Sequence, residues 1–414
     1  MCKLSGFAFI VCLLATMWAP ASWAQPADRD ERAALEQRFR TAVAIIDADR
    51  PDVAIPILQS ILAQYPTLTR ARQELARAYF NNRQWADARR EFVRVLSTDL
   101  PPDVRNSVLK AIAWIDARRG FDWQLDLAVT RLGGGREYDT DAINVYFGDA
   151  VLPAQINRVA EQAWGVTYDM SARVATRVDE LSGSRVVTTL VFTPFVYGDY
   201  AEPDVLQDTT LGTRAGLHVV RRQTTMVFDV LAEQRHVAQH RYETSIGLEY
   251  RYEYRQPSGL RLFGATRFAD IDNHQNDNLK GHMTRVRLGL LQGFGGTRSL
   301  GGAIFGEWRH TARTFDTYDR LGLSVFGDIQ LDRGIGISAS AYVAWRDYSV
   351  PNILYVDDPD EVEYGGTLRV EKKDLILASR FTPYIQVDVR RNDSGIAAFS
   401  YIESNWSFGL EKAF

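Results

Sequence analysis

From Phe121 onward the chain keeps changing sides. Phe121-Asp122-Trp123-Gln124-Leu125-Asp126-Leu127 alternates large apolar and polar residues without a break. Similar stretches start near Trp164, Arg185, Thr210, Thr224, Tyr242, Leu260, His282, Leu300, Leu321, Ile335, Val362, Arg380 and Tyr401. A period of two is that of a β-strand with one apolar and one polar face. Charges keep to one phase, which holds Asp169, Arg173, Arg214, Glu249, Arg251, Arg285, Arg287, Glu307, Arg346 and Arg369. The other phase holds Trp123, Met170, Phe228, Leu248, Trp345 and Phe408. An arginine facing lipid at the bilayer midplane costs about 2–4 kcal/mol, so this sorting is that of a transmembrane barrel with a polar lumen. The count is fourteen segments. An even number returns both ends of a barrel to one side of the membrane.

The connections agree. After odd strands come long ones, such as Arg131 to Ala163, Asp270 to Leu279 and Asp347 to Asp360; after even strands come short ones, such as Arg221-Arg222 and Gln256-Pro257-Ser258. Long loops belong outside the cell and tight turns in the periplasm. The last segment, Tyr401 to Phe414, should pair with the first and leave no open edge. Its apolar phase, Trp406, Phe408, Leu410 and Phe414, is the expected signal for the barrel-assembly machinery, and Lys412 on that phase lies where a lysine can snorkel to headgroups.

Upstream the character differs. Lys3, the apolar run Phe7 to Trp18 and Ser22-Trp23-Ala24 form an expected export leader over residues 1–24. Both cysteines, Cys2 and Cys12, fall within it, which leaves the rest without thiol chemistry or disulfides. Residues 25–119 are expected as a helical domain and 120–414 as the barrel. The helical part repeats at an offset of 34 residues: Ala42 with Ala76, Ile45 with Tyr79, Ala54 with Ala88, Leu58 with Phe92, Ile61 with Val95. This resembles the tetratricopeptide repeat, in which small residues sit where paired helices touch. Arg72 departs from it, standing where that family prefers tryptophan. The resemblance implies a concave groove lined by Arg70, Gln73, Arg77, Phe80 and Asn81 that takes a peptide or protein partner.

Little of this suggests catalysis, a cofactor or a metal. Net charge is −4, which gives no footprint for nucleic acid. His236 and His240 are read as polar residues of an outer loop, and His218 as a lumen residue. Gly133-Gly134-Gly135 lacks the lysine of a phosphate loop. Asp357, Asp358, Asp360 and Glu361 read as a solvated acidic loop. The lumen charges are mixed in sign, whereas an ion-selective pore tends toward one sign at its constriction.

The whole arrangement is similar to the surface lipoprotein assembly modulator (Slam) family of Gram-negative bacteria. Gly120 to Leu125 and Asp139-Thr140-Asp141-Ala142-Ile143-Asn144 look like that family's first strand and first loop, with Asp141 where Asn or Ser is expected. The resemblance implies an outer-membrane translocator that brings a lipoprotein or secreted client to the cell surface, with outer-membrane lipids around it. A porin-like channel for small solutes, carrying a periplasmic protein-binding domain, stays open beside it.

Overall fold

The structure, a computed structural model, describes residues 29–413 apart from 97, 99, 119, 133–135, 148–149, 157–162, 179–185, 222, 257, 332–334, 351–358 and 373–380. The expected leader, Phe414, the glycine run at 133–135 and Asp357-Asp358 lie outside the described residues.

Five helices come first: α1 (Arg29–Asp47), α2 (Pro51–Gln64), α3 (Thr69–Asn81), α4 (Trp85–Leu96) and α5 (Pro102–Arg118). Proline opens α2 and α5, where its missing N–H costs nothing. The 34-residue period is visible in the backbone as well as in the side chains. Asp49 and Arg83, one in each α-hairpin turn, both adopt the left-handed conformation, at φ 58° and 57°. Ala42, Ala54, Leu58, Ile61, Ala76, Ala88 and Val95 are all buried in one core, with Tyr79 and Phe92 beside them.

The strands follow: β1 (Phe121–Leu132), β2 (Arg136–Tyr138), β3 (Ala142–Phe147), β4 (Ala150–Gln155), β5 (Ala163–Arg177), β6 (Val187–Tyr200), β7 (Asp208–Val220), β8 (Thr224–Val237), β9 (His240–Arg255), β10 (Leu260–Asn273), β11 (Gly281–Phe294), β12 (Arg298–Thr311), β13 (Tyr318–Gln330), β14 (Ile335–Tyr348), β15 (Glu361–Lys372), β16 (Thr382–Ser394) and β17 (Tyr401–Ala413). Fourteen of them form a closed antiparallel barrel, each long strand pairing with the next and β1 with β17. The seam runs from Gln124↔Ala413 to Thr130↔Ser407. Above it the start of β17 pairs with β2.

The phases are as expected. Met170, Phe228, Leu248, Leu323, Trp345, Trp406 and Phe408 stand on the outer wall. Lys412 lies over the rings of Trp123 and Phe381, at 5.6 and 5.1 Å from their centroids. β6 blurs its two faces for a reason. Leu190 and Phe192 face outward, while Val191 and Thr189 are buried inward on a strand that α5 lies against.

Two readings of the loops need correction. His236 and His240 are on strands: β8 and β9 meet at a two-residue turn, Ala238-Gln239, with both residues at positive φ. The pairing of the two strands continues almost to their tips, so no outer loop is left there. The first long connection also holds β2 and the hairpin β3–β4, whose Ile143 packs on Ile396 and Ala398 between β16 and β17.

Candidate functional site

The inner wall is built from cross-strand pairs. Six inward aromatic rings lie over glycines of the adjoining strand: Phe195 over Gly212, Phe263 over Gly289, Phe305 over Gly322, Phe326 over Gly301, Tyr342 over Gly365 and Tyr384 over Gly409. A Cβ on Gly322 would stand 2.2 Å from the Phe305 ring. Only glycine lets the rings lie flat, which keeps them against the wall and out of the lumen.

Arginines cover several of these rings. Arg214 lies 5.2 Å from the Phe195 centroid, Arg287 5.7 Å from Phe326, Arg320 5.4 Å from Phe305 and Arg369 3.6 Å from Tyr384. Carboxylates complete the pattern. Glu363 accepts from Arg320 (2.7 Å), Arg390 (2.7 Å) and Tyr342 (2.6 Å). Glu307 accepts from Arg285 and, at 2.5 Å, from Tyr318. Arg346 pairs with Glu361 and lies 4.9 Å from the Tyr318 centroid.

The remaining sequence candidates fall into the same wall. Arg369 bonds Glu411 and approaches Asp126 at 3.6 Å, and Tyr384 donates to Asp126 at 2.6 Å. Arg173 pairs with Asp122 at 3.2 Å. Arg251 joins Asp229 and Glu249, each at 2.8 Å, and His218 bonds Asp229 at 3.2 Å. Asp169 stands directly across the ladder from Asp126. The pairs bind charge of both signs along the wall and give the lumen no dominant sign. Arg285 and Arg287 stay exposed on the lumen side of β11. Tyr342, Tyr384, Arg320 and Arg390 were not among the sequence candidates; pairing a ring with a glycine needs the strand register.

The short-turn mouth carries the helical domain. A cavity of about 1080 Å³ lies between α2, α3 and α4 and the strand ends, lined on the helical side by Gln59, Tyr79, Arg89 and Arg90. Helical spacing of 3.6 residues puts Arg72, Leu75 and Tyr79 of α3 on this side. The groove candidates Arg70, Gln73, Arg77, Phe80 and Asn81 lie on the other side. Arg77 bonds Glu74 and Asp47, and Arg70 covers the Phe39 ring at 4.9 Å. Phe80 is committed to a ring cluster with Trp114 (4.7 Å) and Trp85 (5.5 Å).

Arg72 is the tie between the two parts. It is 2% exposed, donates to Glu91 at 2.8 Å and to the Pro66 carbonyl at 2.6 Å, and reaches Gln330 of β13 at 3.4 Å. Burial by itself would raise the Glu91 carboxyl. Arg94, Arg72 and Arg90 outweigh it and hold the group at about 2.

Fold and wall together define an outer-membrane β-barrel whose N-terminal tetratricopeptide-like domain sits in the periplasm, on the short-turn mouth. Residues 156–414 match the family of the surface lipoprotein assembly modifier, and residues 46–109 match the tetratricopeptide repeat. The chain belongs to the surface lipoprotein assembly modifier family. It is 21% identical over 351 residues to the surface lipoprotein assembly modifier of Moraxella catarrhalis, covering 84% of this chain. The chain spans 65% of that relative's length. Among solved structures, a Pseudomonas aeruginosa FadL homologue is similar at TM-score 0.39 and 12% identity, over 73% of this chain and 91% of its own. The Vibrio cholerae outer membrane protein OmpT with loop L8 deleted is similar at 0.36 and 11%, over 71% and 98%. These are likenesses of one barrel to another and nothing further rests on them.

Proposed function

We propose that this protein delivers a client, a lipoprotein or a related secreted protein, through the outer membrane to the cell surface. Membership of an assembly-modifier family across residues 156–414 is the observation that carries the reading. Two features of the molecule support it. The lumen wall is lined by ion pairs of both signs, which suits an extended polypeptide of mixed composition better than a single class of ion. The helical domain stands at the periplasmic mouth, on the side from which a client arrives.

In this reading residues 25–119 receive the client and residues 120–414 conduct it. The side of α3 that bears Arg70, Gln73, Arg77 and Asn81 faces away from the barrel and is the client groove. The outward face of β17, with Trp406, Phe408 and Leu410, meets lipid and is the surface engaged by the barrel-assembly machinery. The inner wall acts by shape and charge rather than by catalysis.

The test is co-expression with a candidate lipoprotein client, followed by protease shaving of intact cells. Client exposure should fall to background when the gene for this chain is removed. Equal exposure in its absence would rule the reading out. Liposome swelling with small sugars gives the second arm, since free permeation of sugars would favour a solute channel instead.

A further inference from the structure

We infer that the helical domain is a closed lid on the periplasmic mouth, which must swing aside before anything enters the lumen. The inference rests on the delivery reading only for the identity of what passes. Coverage is the first observation. The chamber beneath the domain is walled by residues of β1 and of every strand from β9 to β17, and α5 lies against β5, β6 and β7. Thirteen of the fourteen barrel strands therefore meet the domain or the chamber under it. A client that reaches the short-turn side finds this domain across the opening.

The second observation is what fixes the lid. Among the described residues, its own core, from Phe39 to Ile115, contains no barrel residue. The domain can move as a body without exposing that core. Besides the packing of α5 on β5, β6 and β7, the contacts with the rim are local. Arg72 reaches Gln330 at 3.4 Å. Arg94 and Thr98 lie against the β11–β12 turn, where a Cβ on Gly296 would stand 3.0 Å from Thr98 Cγ2 and 3.1 Å from the Arg94 carbonyl oxygen. Arg89 and Arg90 of α4 line the same chamber as Glu371 of β15, with Glu253 near the end of β9 within electrostatic reach of Arg89. An interface interrupted by a cavity of about 1080 Å³ is one at which domains move relative to each other; a large, continuous apolar one would hold them. Guanidinium groups of α4 that share this chamber with rim carboxylates make the closure one that charge reversal can loosen.

Full-length protein in planar bilayers tests this without a client. Wild type should conduct weakly. Arg89→Glu sets a like charge against Glu253 and should raise the conductance several-fold, with Arg90 left in place beside Asp87 and Glu91. Adding Thr98→Cys and Gly296→Cys to that variant, then oxidising, should return the conductance to the wild-type level, and a reductant should restore the rise. Heat-modifiability on gels checks that each barrel is folded, and the charge-reversal arm stands by itself if Gly296→Cys does not fold. Equal conductance in wild type and the charge-reversed protein overturns the lid, as does a cross-linked form that conducts like the reduced one. In cells, the cross-linked protein should expose no client until reduced. Client exposure that needs no copy of this protein overturns the delivery reading and leaves the conductance result to decide the lid.

Discussion

Where the tetratricopeptide pattern wants tryptophan, this chain buries the guanidinium of Arg72. The departure was legible in the sequence; its reason was not, because Glu91 and Gln330 lie 19 and 258 residues away. The buried pair makes a pH prediction. Glu91 has its carboxyl held at about 2 instead of the ordinary 4.5, so its pairing contributes fully to stability above pH 4.5. As pH falls below that, the unfolded chain takes up its proton first, and the contribution is lost progressively toward pH 2. The amount is about 3 kcal/mol. Hydrogen exchange across residues 29–118 should show the helical domain opening over this window. Glu91→Gln should be weaker at neutral pH and nearly flat across it. An identical pH profile in Glu91→Gln would show that another group sets the acid limit.

At the scale of strands the sequence was most informative, because lipid penalises a misplaced arginine and so forces the charges into one phase. Charge phase, apolar alternation and the parity of loop lengths together place the fourteen barrel strands, with β6, whose faces blur, the weakest of them. The turn between β8 and β9 was missed because Ala238-Gln239 carries none of the Gly or Asn that usually marks a tight hairpin, although both residues adopt positive φ. Also hidden was the matching of rings to glycines, since it depends on register between strands. Gly365 tests it. A Cβ there would meet Tyr342 Cε1 at 2.2 Å, and Tyr342 is the residue that donates to Glu363. Gly365→Ala should therefore push the ring off the wall and cost about 1–3 kcal/mol. Gly302→Ala is the control, with its nearest neighbour, the Ser324 carbonyl oxygen, at 3.4 Å. Urea unfolding of the purified barrel should separate the two variants. Matching midpoints would mean that the rings do not need their glycines.

Taken whole, the molecule ties together segments far apart in sequence at both ends of the barrel. Below is the helical domain. Above, the first outer loop folds back across the seam. Arg391 donates two bonds to Asp139, at 2.7 and 2.5 Å, the Asp139 amide donates to the Ser400 carbonyl at 3.0 Å, and Ile143 packs on Ile396 and Ala398. No local pattern could have shown this, because the partners are about 250 residues apart and neither loop has a periodic signature. The Asp139–Thr140–Asp141 run looked like a polar loop and is in fact the anchor of the β3–β4 hairpin: Thr140 accepts from the Ala142 amide at 3.0 Å, and the Asp141 carbonyl accepts from the Ile156 amide at 2.9 Å. Of these ties, the ion pair is the one a single substitution removes cleanly. Asp139→Ala leaves Arg391 with Asp393 at 2.5 Å, so the guanidinium stays paired while the hairpin loses its charged anchor. External protease on intact cells should then cut within residues 142–155 several-fold faster than in wild type, with the barrel itself still heat-modifiable. If cutting is unchanged, the apolar contact of Ile143 with Ile396 and Ala398 holds the hairpin without the ion pair, and Ile143→Ser becomes the substitution that should release it.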